Sequence, residues 1–404
     1  MIRRGLAVLT LVGVLGTAMV APAAVAANPP APLFSFVSAP DMWNTDVGDL
    51  SGSSGFAPAP GFVEGSPNST NEHYEAATDA ILDEIARPDP AFVLVAGDAV
   101  EGRWDEDADG AAMFGSVTDL AGKRRAVNAA ADLYYPQWLA NFEQRGLEVH
   151  AAVGDHELGD NPWPPGSHPA ALAPVFKQAW ARHFTRPGGI PAYSQRPHGT
   201  PWEDTAYAIR RGPLLVITVD VFHTDGLRVR PLVAGGQLRW LRSTLRRARM
   251  DPSIRFIAVQ GHVPVIGPVR WHRSSRLHLR RGPRSPFWQT LQNHGVDLYL
   301  CGEVHDTTAI RRGGVWQISH GGAVGWGDHM NVLVVDVHED RLDMQLRTAP
   351  VANAAPGQLL WQTGDHRPKS SPMVGEFAQV GTMTLHADRT VSNRTGRFLP
   401  YRPF

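Results

Sequence analysis

The segment Val153–Glu157, with the sequence Val-Gly-Asp-His-Glu, ends a short apolar run that begins at Glu148. An apolar run of this length, closed by a turn residue, predicts a buried β-strand. Gly154 allows the chain to turn sharply after that strand, because glycine has no side chain. The three polar residues that follow carry groups that bind divalent metals or transfer protons. The segment therefore predicts a strand whose carboxyl end carries chemically active side chains.

Four other predicted strands end in the same way, with acidic or histidine residues directly after an apolar run. In an α/β sheet the carboxyl ends of parallel strands meet at one edge, where ligands bind. Segments that lie far apart in the sequence can therefore contribute to a single site. The four segments are Ser38–Asp41, Ala96–Asp98, Gln260–His262 and Cys301–His305.

Short apolar runs alternate with longer amphipathic segments, and this order predicts an α/β fold. After residue 302 the pattern changes to strands joined by short turns, which favours two sheets packed face to face between helices. We therefore expect a four-layer αββα sandwich with a C-terminal β extension. The predicted strands are Leu33–Ser38, Phe92–Ala96, Glu148–Val153, Ala206–Ile209, Leu214–Val219, Phe256–Gln260, Asp297–Leu300, Thr308–Arg311, Val315–Ser319, Asn331–Val337 and Arg341–Arg347. The predicted helices are one that begins at Ser69, then Ala126–Phe142, Ala170–Phe184, Gly236–Met250 and Pro286–His294.

Composition divides the chain into three parts. Residues 1–27 have the pattern of an export signal, residues 29–350 form the main α/β domain, and residues 351–404 form a linker and a β accessory segment. The segment Ala349–Ser371 is rich in Pro, Gly and Ala, which predicts a linker or an irregular excursion. A final strand pair is predicted at Gly381–Ala387 and Val391–Leu399.

The N-terminal residues predict export by a signal peptide. Arg3 and Arg4 precede an apolar run over residues 6–20, and Ala24–Ala26 fits a cleavage site. The apolar run is too short for a membrane span, so we expect no transmembrane helix in the mature protein. The predicted location is secreted, periplasmic or in the cell envelope. With Cys301 as its only cysteine, the exported chain has no internal disulfide.

Charge and motif content exclude several other functions. The 404 residues carry a formal net charge of −1, which gives no general attraction to nucleic acids or membranes. No nucleic-acid-binding motif, Walker loop or dinucleotide fingerprint is present. The nucleophile elbow of serine hydrolases and the H-E-x-x-H motif of zinc proteases are also absent. The sequence defines no oligomeric state.

The five strand-end motifs together closely resemble the pattern of the calcineurin-like metallophosphoesterase superfamily, which includes the purple acid phosphatases. That pattern is D-x-H, G-D, G-N-H-[DE], G-H and G-H-x-H, each at a strand end. One motif alone is weak evidence, whereas five in this order are strong evidence. The resemblance spans about residues 33–337 and implies that residues 29–350 are a metallophosphoesterase catalytic domain. The matching segments are Asp41-Met42-Trp43, Gly97-Asp98, Gly154-Asp155-His156-Glu157, Gly261-His262 and Gly302-Glu303-Val304-His305.

The resemblance also implies a role for each matching position. The implied metal ligands are Asp41 and His305 for a first metal, Asp98 between both metals, and Asp155, His262 and Glu303 for the second. The resemblance places His156 against the phosphate as a catalytic group, with Glu157 orienting it. Two such metals activate a water molecule and clamp the phosphoryl oxygens.

This chain departs from the family pattern at metal-ligand positions. Trp43 stands where the first motif has a histidine, Glu303 replaces another histidine, and Asp155 replaces an asparagine. The amide oxygen of Asn44, or the carboxylates of Asp46 or Asp49, could replace the lost imidazole. Because the resulting ligand set is rich in oxygen, we expect two divalent metal ions, with Mn, Fe or Mg favoured over Zn.

The acidic segment Asp105-Glu106-Asp107-Ala108-Asp109-Gly110 matches the first half of an EF-hand calcium loop. Its twelfth position is Ser116, where the loop needs a glutamate. A calcium site at Asp105–Asp109 is therefore one interpretation, and an acidic surface loop is the other.

Two further segments are candidates for substrate binding. Residues 270–284 contain six arginines and no acidic residue, and they lie between the His262 and Glu303 motifs. Arg270 and Arg273 could attract a phosphate-rich substrate from this loop, although a solvated basic loop explains them equally well. His320 closes a strand just after the last motif and could line the same edge.

The sequence thus predicts an exported, metal-dependent phosphoesterase that hydrolyses phosphate mono- or diesters. The expected partner is a phosphorylated small molecule or polymer. Two alternatives stay open. One is a catalytically weakened member that binds metal or an anionic ligand, an interpretation that the changes at Trp43 and Glu303 favour. The other is a pyrophosphatase that acts on nucleotide-type substrates.

Overall fold

The computed structural model describes residues 30–42, 46, 72–106, 112–226, 228–322, 329–353, 359–360, 369–370 and 372–402. The first nine strands are β1 (Phe34–Ser38), β2 (Phe92–Val95), β3 (Val149–Ala151), β4 (Tyr207–Arg211), β5 (Leu214–Thr218), β6 (Phe222–Thr224), β7 (Val229–Pro231), β8 (Phe256–Gln260) and β9 (Leu298–Cys301). The others are β10 (Thr308–Arg312), β11 (Val315–Ser319), β12 (His329–Val337), β13 (Arg341–Asn353), β14 (Leu359–Leu360), β15 (Lys369–Ser370), β16 (Pro372–Val374), β17 (Ala378–His386) and β18 (Val391–Ser392). The α-helices are α1 (Glu72–Ala86), α2 (Leu120–Glu143), α3 (His168–Phe184), α4 (Gly235–Met250) and α5 (Pro286–Asn293).

Most of these strands belong to two sheets. The first sheet has the order β18-β17-β13-β12-β1-β2-β3, with β16 pairing with β13. The second has the order β10-β11-β9-β8-β5-β4. Strands β1, β2 and β3 run parallel in the first sheet, as do β5, β8, β9 and β11 in the second. Because β1, β2, β3, β8 and β9 directly precede the five strand-end motifs, their carboxyl ends can bring the motifs together.

Alternating burial shows how the layers pack. Successive strand residues point to opposite faces of a sheet, and here they enter two different apolar clusters. One cluster lies between the sheets, and the other includes residues of all five α-helices. Phe36, Leu94 and Phe256 belong to the first cluster, and their neighbours Val37, Val93 and Ile257 belong to the second. The predicted α/β fold, with two facing sheets covered by helices, is therefore confirmed.

Polar side chains fix where several helices begin. The carboxylate of Asp119 accepts a hydrogen bond from the Gly122 amide, so α2 begins at Leu120, six residues before the predicted start. Ser167 and Ser285 cap α3 and α5 in the same way. Within the described part of the chain, no helix is both long and apolar enough to cross a membrane.

The C-terminal segment continues the first sheet. Strand β17 pairs with β13 over most of its length. Strand β13 extends to Asn353, so the start of the predicted linker, Ala349–Ser371, is a strand. The predicted strand Val391–Leu399 is also wrong in its length. It ends at Ser392, because Asn393 has a φ of 50° and residues 396–398 form a 3-10 helix.

Candidate active site

The strand-end motifs meet at one edge of the two sheets, where their carboxylates and imidazoles form groups that could hold a metal ion, and two of these groups share Asp98. Within each group the potential ligand atoms lie within 4.8 Å of one another. The first ligand group is Asp41, Asp98 and His305, and the second ligand group is Asp98, Asp155, His262 and Glu303. All six residues are 4% exposed or less. Since unpaired buried charge is very costly, such a cluster calls for a compensating cation.

His262 lies at the centre of the second ligand group. Its Nε2 is 2.7 Å from Asp155 Oδ1, 3.2 Å from Asp98 Oδ2 and 3.5 Å from Glu303 Oε2. Its other ring nitrogen, Nδ1, donates to the carbonyl oxygen of Ala96 at 2.7 Å. That bond fixes the ring and leaves Nε2 directed at the carboxylates, as in a metal-binding histidine.

The first ligand group contains buried polar atoms without partners. Asp41 Oδ1 accepts a hydrogen bond from the Glu303 amide at 3.0 Å, and it lies 3.8 Å from His305 Nε2. Asp41 Oδ2 and His305 Nδ1 have no hydrogen-bond partner among the described residues. Buried polar atoms are normally paired, so an unpaired carboxylate oxygen here fits a position next to a cation.

Backbone geometry around the site is strained in a way typical of functional sites. Asp41, Asp98, Glu303 and His305 have φ values of 53°, 60°, 70° and 50°, in the left-handed region that non-glycine residues rarely adopt. A side chain at Gly154 would overlap Asp98 Oδ1, and one at Gly302 would overlap Asp41 Oδ2. Glycine at these two positions allows the backbone to pack directly against the ligand carboxylates.

The pKa values of Glu303 and Asp41 are raised by burial first and by neighbouring carboxylates second. Burial raises the pKa of Glu303 to about 7, and the neighbouring Asp155 carboxylate adds to this rise. Burial also holds the pKa of Asp41 well above its usual range. Burial opposes a charge on His262, but the carboxylates around it, Asp98 first, raise the pKa of its imidazole. The donor set therefore fits divalent cations, which would replace protons as the counter-charge.

Glu157 supports the loop of Asp98 and does not orient His156. Its Oε2 accepts hydrogen bonds from the amides of Asp98 at 2.8 Å and Gly154 at 2.6 Å, and its Oε1 accepts one from Ala99 at 2.8 Å. The predicted contact between Glu157 and the His156 ring is therefore corrected. Burial, together with the nearby Asp98 charge, raises the pKa of Glu157 to about 7.

His156 is oriented instead by a main-chain carbonyl. Its Nδ1 donates to the Glu101 carbonyl oxygen at 2.7 Å, and its Nε2 lies 3.8 Å from Asp160 Oδ1. Burial opposes a charge on this imidazole. The surrounding carboxylates, with Asp98 first and Asp160 second, outweigh burial and raise the pKa of His156 to about 10. Without a metal ion in the site, this imidazole is therefore protonated at neutral pH.

A pocket of about 190 Å³ opens over both ligand groups. Its lining includes five residues that sequence reasoning missed: Glu101, Arg103, Asp160, Ser274 and Ser275. Asp160 follows His156 by four residues, a spacing that could have indicated it. Arg103 donates to the Asp160 carboxylate at 2.7 Å and 3.1 Å, a contact that sequence spacing does not reveal.

The predicted substrate residues have different positions. Arg273 lines the pocket, whereas Arg270 and His320 are not among its described lining residues. Arg270 donates to the Thr307 carbonyl and stacks on the Tyr401 ring at 4.2 Å, so its charge is directed away from the pocket. His320 is fully buried and hydrogen-bonds Ser38 at 3.0 Å. Substrate contact by these two residues is therefore not supported by their positions.

The predicted replacements for the lost imidazole cannot all be placed. Asn44, like Trp43 and Asp49, lies outside the described residues. Asp46 Oδ1 accepts hydrogen bonds from the amides of Glu101 and Gly102 and from Trp104 Nε1, so it organises the loop after β2.

The acidic segment is only partly described. Asp105 forms an ion pair with Lys123 at 3.3 Å, while Asp107–Asp109 lie outside the described residues. A lysine next to Asp105 supplies the positive charge that the proposed calcium ion would bring. The pairing therefore favours a structural role for Asp105.

The model of the calcineurin-like phosphoesterase family matches residues 47–306, which include every residue of the second ligand group. Asp41 precedes the matched range. No curated protein matches the chain in a sequence comparison.

Solved structures with a similar fold include PhoD and a plant enzyme. PhoD has 10% sequence identity and a TM-score of 0.52, and the match covers 92% of this chain and 73% of PhoD. The purple acid phosphatase PPD1 from seeds of yellow lupin (Lupinus luteus) has 12% identity and a TM-score of 0.48. That match covers 85% of this chain and 54% of the plant chain, so this chain spans about half of its length. At these identities the likeness to PhoD concerns the fold alone.

Proposed function

Since the chain belongs to the calcineurin-like phosphoesterase family, we propose that it is an exported, metal-dependent hydrolase of phosphate mono- or diesters. The observation that supports this most directly is the pair of ligand groups joined through Asp98. A shared carboxylate between two cation positions is the arrangement that two-metal phosphoester hydrolysis needs. Export is proposed from the signal-peptide pattern in residues 1–27.

The two ligand groups would each hold one divalent cation. Together such cations would activate a water molecule and neutralise charge on the phosphoryl oxygens. Carboxylates outnumber imidazoles in both groups combined, with Asp41, Asp98, Asp155 and Glu303 against His262 and His305. Hard, oxygen-preferring ions such as Mn²⁺, Fe²⁺ or Mg²⁺ are therefore favoured over Zn²⁺.

His156 would act as the general acid. Its Nδ1 is occupied by the Glu101 carbonyl, so the transferable proton is on Nε2. In the reaction the oxygen of water forms a bond to phosphorus while the bond from phosphorus to the ester oxygen breaks. The Nε2 proton passes to the departing oxygen, and the imidazole regains a proton from the attacking water through solvent.

The pocket walls would bind the phosphate and the transferred group. Arg273 contributes positive charge at the pocket edge, where a guanidinium can bind phosphate oxygens in pairs. Asp160 is held by Arg103 and lies beside His156 Nε2, so it stabilises the protonated imidazole. The volume of about 190 Å³ accommodates a phosphoryl group and a small part of its ester, while larger substrates would extend outside.

The test is hydrolysis of p-nitrophenyl phosphate and of its bis ester by mature protein recovered after export. The mass of that protein checks whether residues 1–27 have been removed. Bound metal is stripped with a chelator, and Mn²⁺, Fe²⁺, Mg²⁺, Ca²⁺ or Zn²⁺ is added back singly. We expect metal-restored activity that falls by at least about 100-fold in Asp98→Ala, which damages both ligand groups, and in His156→Ala.

Two controls make the outcome decisive. Circular dichroism must show that the variants remain folded, and His156→Ala must still bind metal, because His156 is not in either ligand group. Folded protein that binds metal but hydrolyses neither ester, nor a nucleotide pyrophosphate, would contradict the enzymatic proposal. It would leave the metal- or anion-binding alternative as the explanation of the site.

A further inference from the structure

The segment Arg270–Leu277 runs along the pocket edge and is fastened to the last metal-binding motif. The amide of Arg270 donates to Thr308 Oγ1 at 2.8 Å, and the Arg270 guanidinium donates to the Thr307 carbonyl at 2.8 Å. The amide of His272 donates to the Val304 carbonyl at 2.8 Å. These contacts explain why Arg270 does not reach the pocket, since it anchors the segment at one end.

The other end of the segment holds the carboxylate of Glu303. The Ser275 hydroxyl donates to Glu303 Oε1 at 2.7 Å, and the Leu277 amide donates to the same oxygen at 2.9 Å. The second oxygen, Oε2, belongs to the second ligand group and lies 3.5 Å from His262 Nε2. One carboxylate oxygen is thus held by the protein while the other is directed at the cation position.

Such an arrangement matters because glutamate is a flexible ligand. Its side chain has more rotatable bonds than histidine, and ordering it costs conformational entropy. Two donors on one oxygen fix both the position and the plane of the carboxylate, and bonds to a charged acceptor are stronger than neutral ones. Glu303 is 2% exposed, so water does not compete effectively for Oε1. The segment therefore provides the support that a glutamate ligand needs at this position.

We propose that Ser275 is a positioning residue for the metal ligand Glu303, so that its hydroxyl sets the affinity of the second ligand group for a divalent cation. The proposal rests on the proposed two-metal function. Ser275 acts through Glu303 and needs no contact with the substrate. Outer partners of metal ligands typically contribute a factor of about 10 to 100 in metal affinity.

The neighbouring serine offers a matched control. Ser274 also lines the pocket, but its hydroxyl accepts a hydrogen bond from the Arg276 amide at 3.3 Å and makes no hydrogen bond to Glu303. Ser274→Ala and Ser275→Ala therefore remove the same atom from adjacent positions. Only the second change removes a donor to the ligand carboxylate.

The experiment is calorimetric titration of chelator-stripped, full mature chains with Mn²⁺. We expect Ser275→Ala to weaken Mn²⁺ binding by the second ligand group by about 10-fold or more, and Ser274→Ala to bind like the wild type. Ser275→Thr keeps the hydroxyl and should restore most of the affinity. Equal melting temperatures of the metal-free variants would show that the loss does not come from a disturbed fold.

Two results would overturn the proposal, and they differ in what else they affect. Normal Mn²⁺ binding by the wild type, with the same affinity in Ser275→Ala and Ser274→Ala, contradicts the role of Ser275 and leaves the proposed function intact. Absence of Mn²⁺ binding in the wild type contradicts both. If Ser275→Ala melts early, Ser275→Thr is compared with the wild type instead, and a loss of affinity of about 10-fold or more in Ser275→Thr counts against the proposal.

Discussion

The two ligand groups share Asp98 but differ in how firmly the protein holds them. In the second ligand group each of the other members has a supporting partner. Asn161 Nδ2 donates to Asp155 Oδ2 at 2.7 Å, the Ala96 carbonyl fixes His262, and Ser275 holds Glu303. In the first ligand group the Glu303 amide donates to Asp41 Oδ1 at 3.0 Å, but Asp41 Oδ2 and His305 Nδ1 have no hydrogen-bond partner among the described residues.

The difference indicates that the second group is preorganised for a cation and the first is less so. A site whose ligands are already oriented loses less entropy when the cation binds. We therefore expect the second group to bind the tighter of two metals. Both groups contain departures from the family pattern, at Trp43 for the first and at Asp155 and Glu303 for the second, and any ligand from Asn44 lies outside the described residues.

The largest expected effect on metal affinity comes from substituting the single histidine of either ligand group. His262→Ala should weaken the tighter metal-binding step by more than about 100-fold, because loss of an outer partner alone costs 10- to 100-fold. His305→Ala should mainly remove the weaker step. Calorimetric titration with Mn²⁺ separates the two steps. If His305→Ala abolished the tighter step and His262→Ala did not, the order of the two groups would be reversed.

The pH dependence of metal binding is the next effect in size. Burial raises the pKa of Glu303 from 4.5 to about 7, so below that pH the metal-free carboxyl is protonated. A cation must displace this proton, and apparent affinity falls by up to about 10-fold per pH unit below 7. The pKa of Glu303 is about 7 in the metal-free folded protein and 4.5 in the unfolded chain. The contribution of Glu303 to the stability of the metal-free fold is therefore fully present below pH 4.5 and is lost as the pH rises through about 7.

The measurement is the rise in melting temperature on adding Mn²⁺. We expect this rise to be several degrees larger at about pH 8 than at about pH 5. A cation that binds only the folded protein stabilises it more when its affinity is higher, and the affinity is higher at about pH 8. Glu303→Gln cannot release a proton and should reduce the difference between the two pH values. If the metal-induced rise in melting temperature were equal at both pH values, the cation would not displace a proton from Glu303.

The smallest of these effects tests the outer partner of Asp155. Asn161→Ala removes one donor to Asp155 Oδ2, while His262 still contacts Oδ1 at 2.7 Å. We expect about a 10-fold loss of Mn²⁺ affinity at the tighter step, near the lower end for such partners. Equal titrations of Asn161→Ala and wild type would show that the second group does not depend on this bond.

The sequence by itself determined the fold class and the members of the two ligand groups. Strand periodicity and a glycine directly before the polar residue are local properties, so the positions of Asp98, Asp155 and His262 at strand ends could be predicted. Helix starts were less predictable, because a cap such as Asp119 depends on one side chain. The strand after residue 391 ended early for a similar reason, a left-handed residue at Asn393.

Only the tertiary structure decided which side chain supports which. Glu157 holds the backbone of Asp98 and Ala99, and the Glu101 carbonyl orients His156, although these partners are more than fifty residues apart in the chain. Ser275 reaches Glu303, whereas the arginine at the start of the same segment turns away to Thr307. Hydrogen bonds between distant loops depend on the path of each loop and on its side-chain rotamers. Residue type and spacing therefore identify the ligands of a site, while their orientation is set by the folded chain.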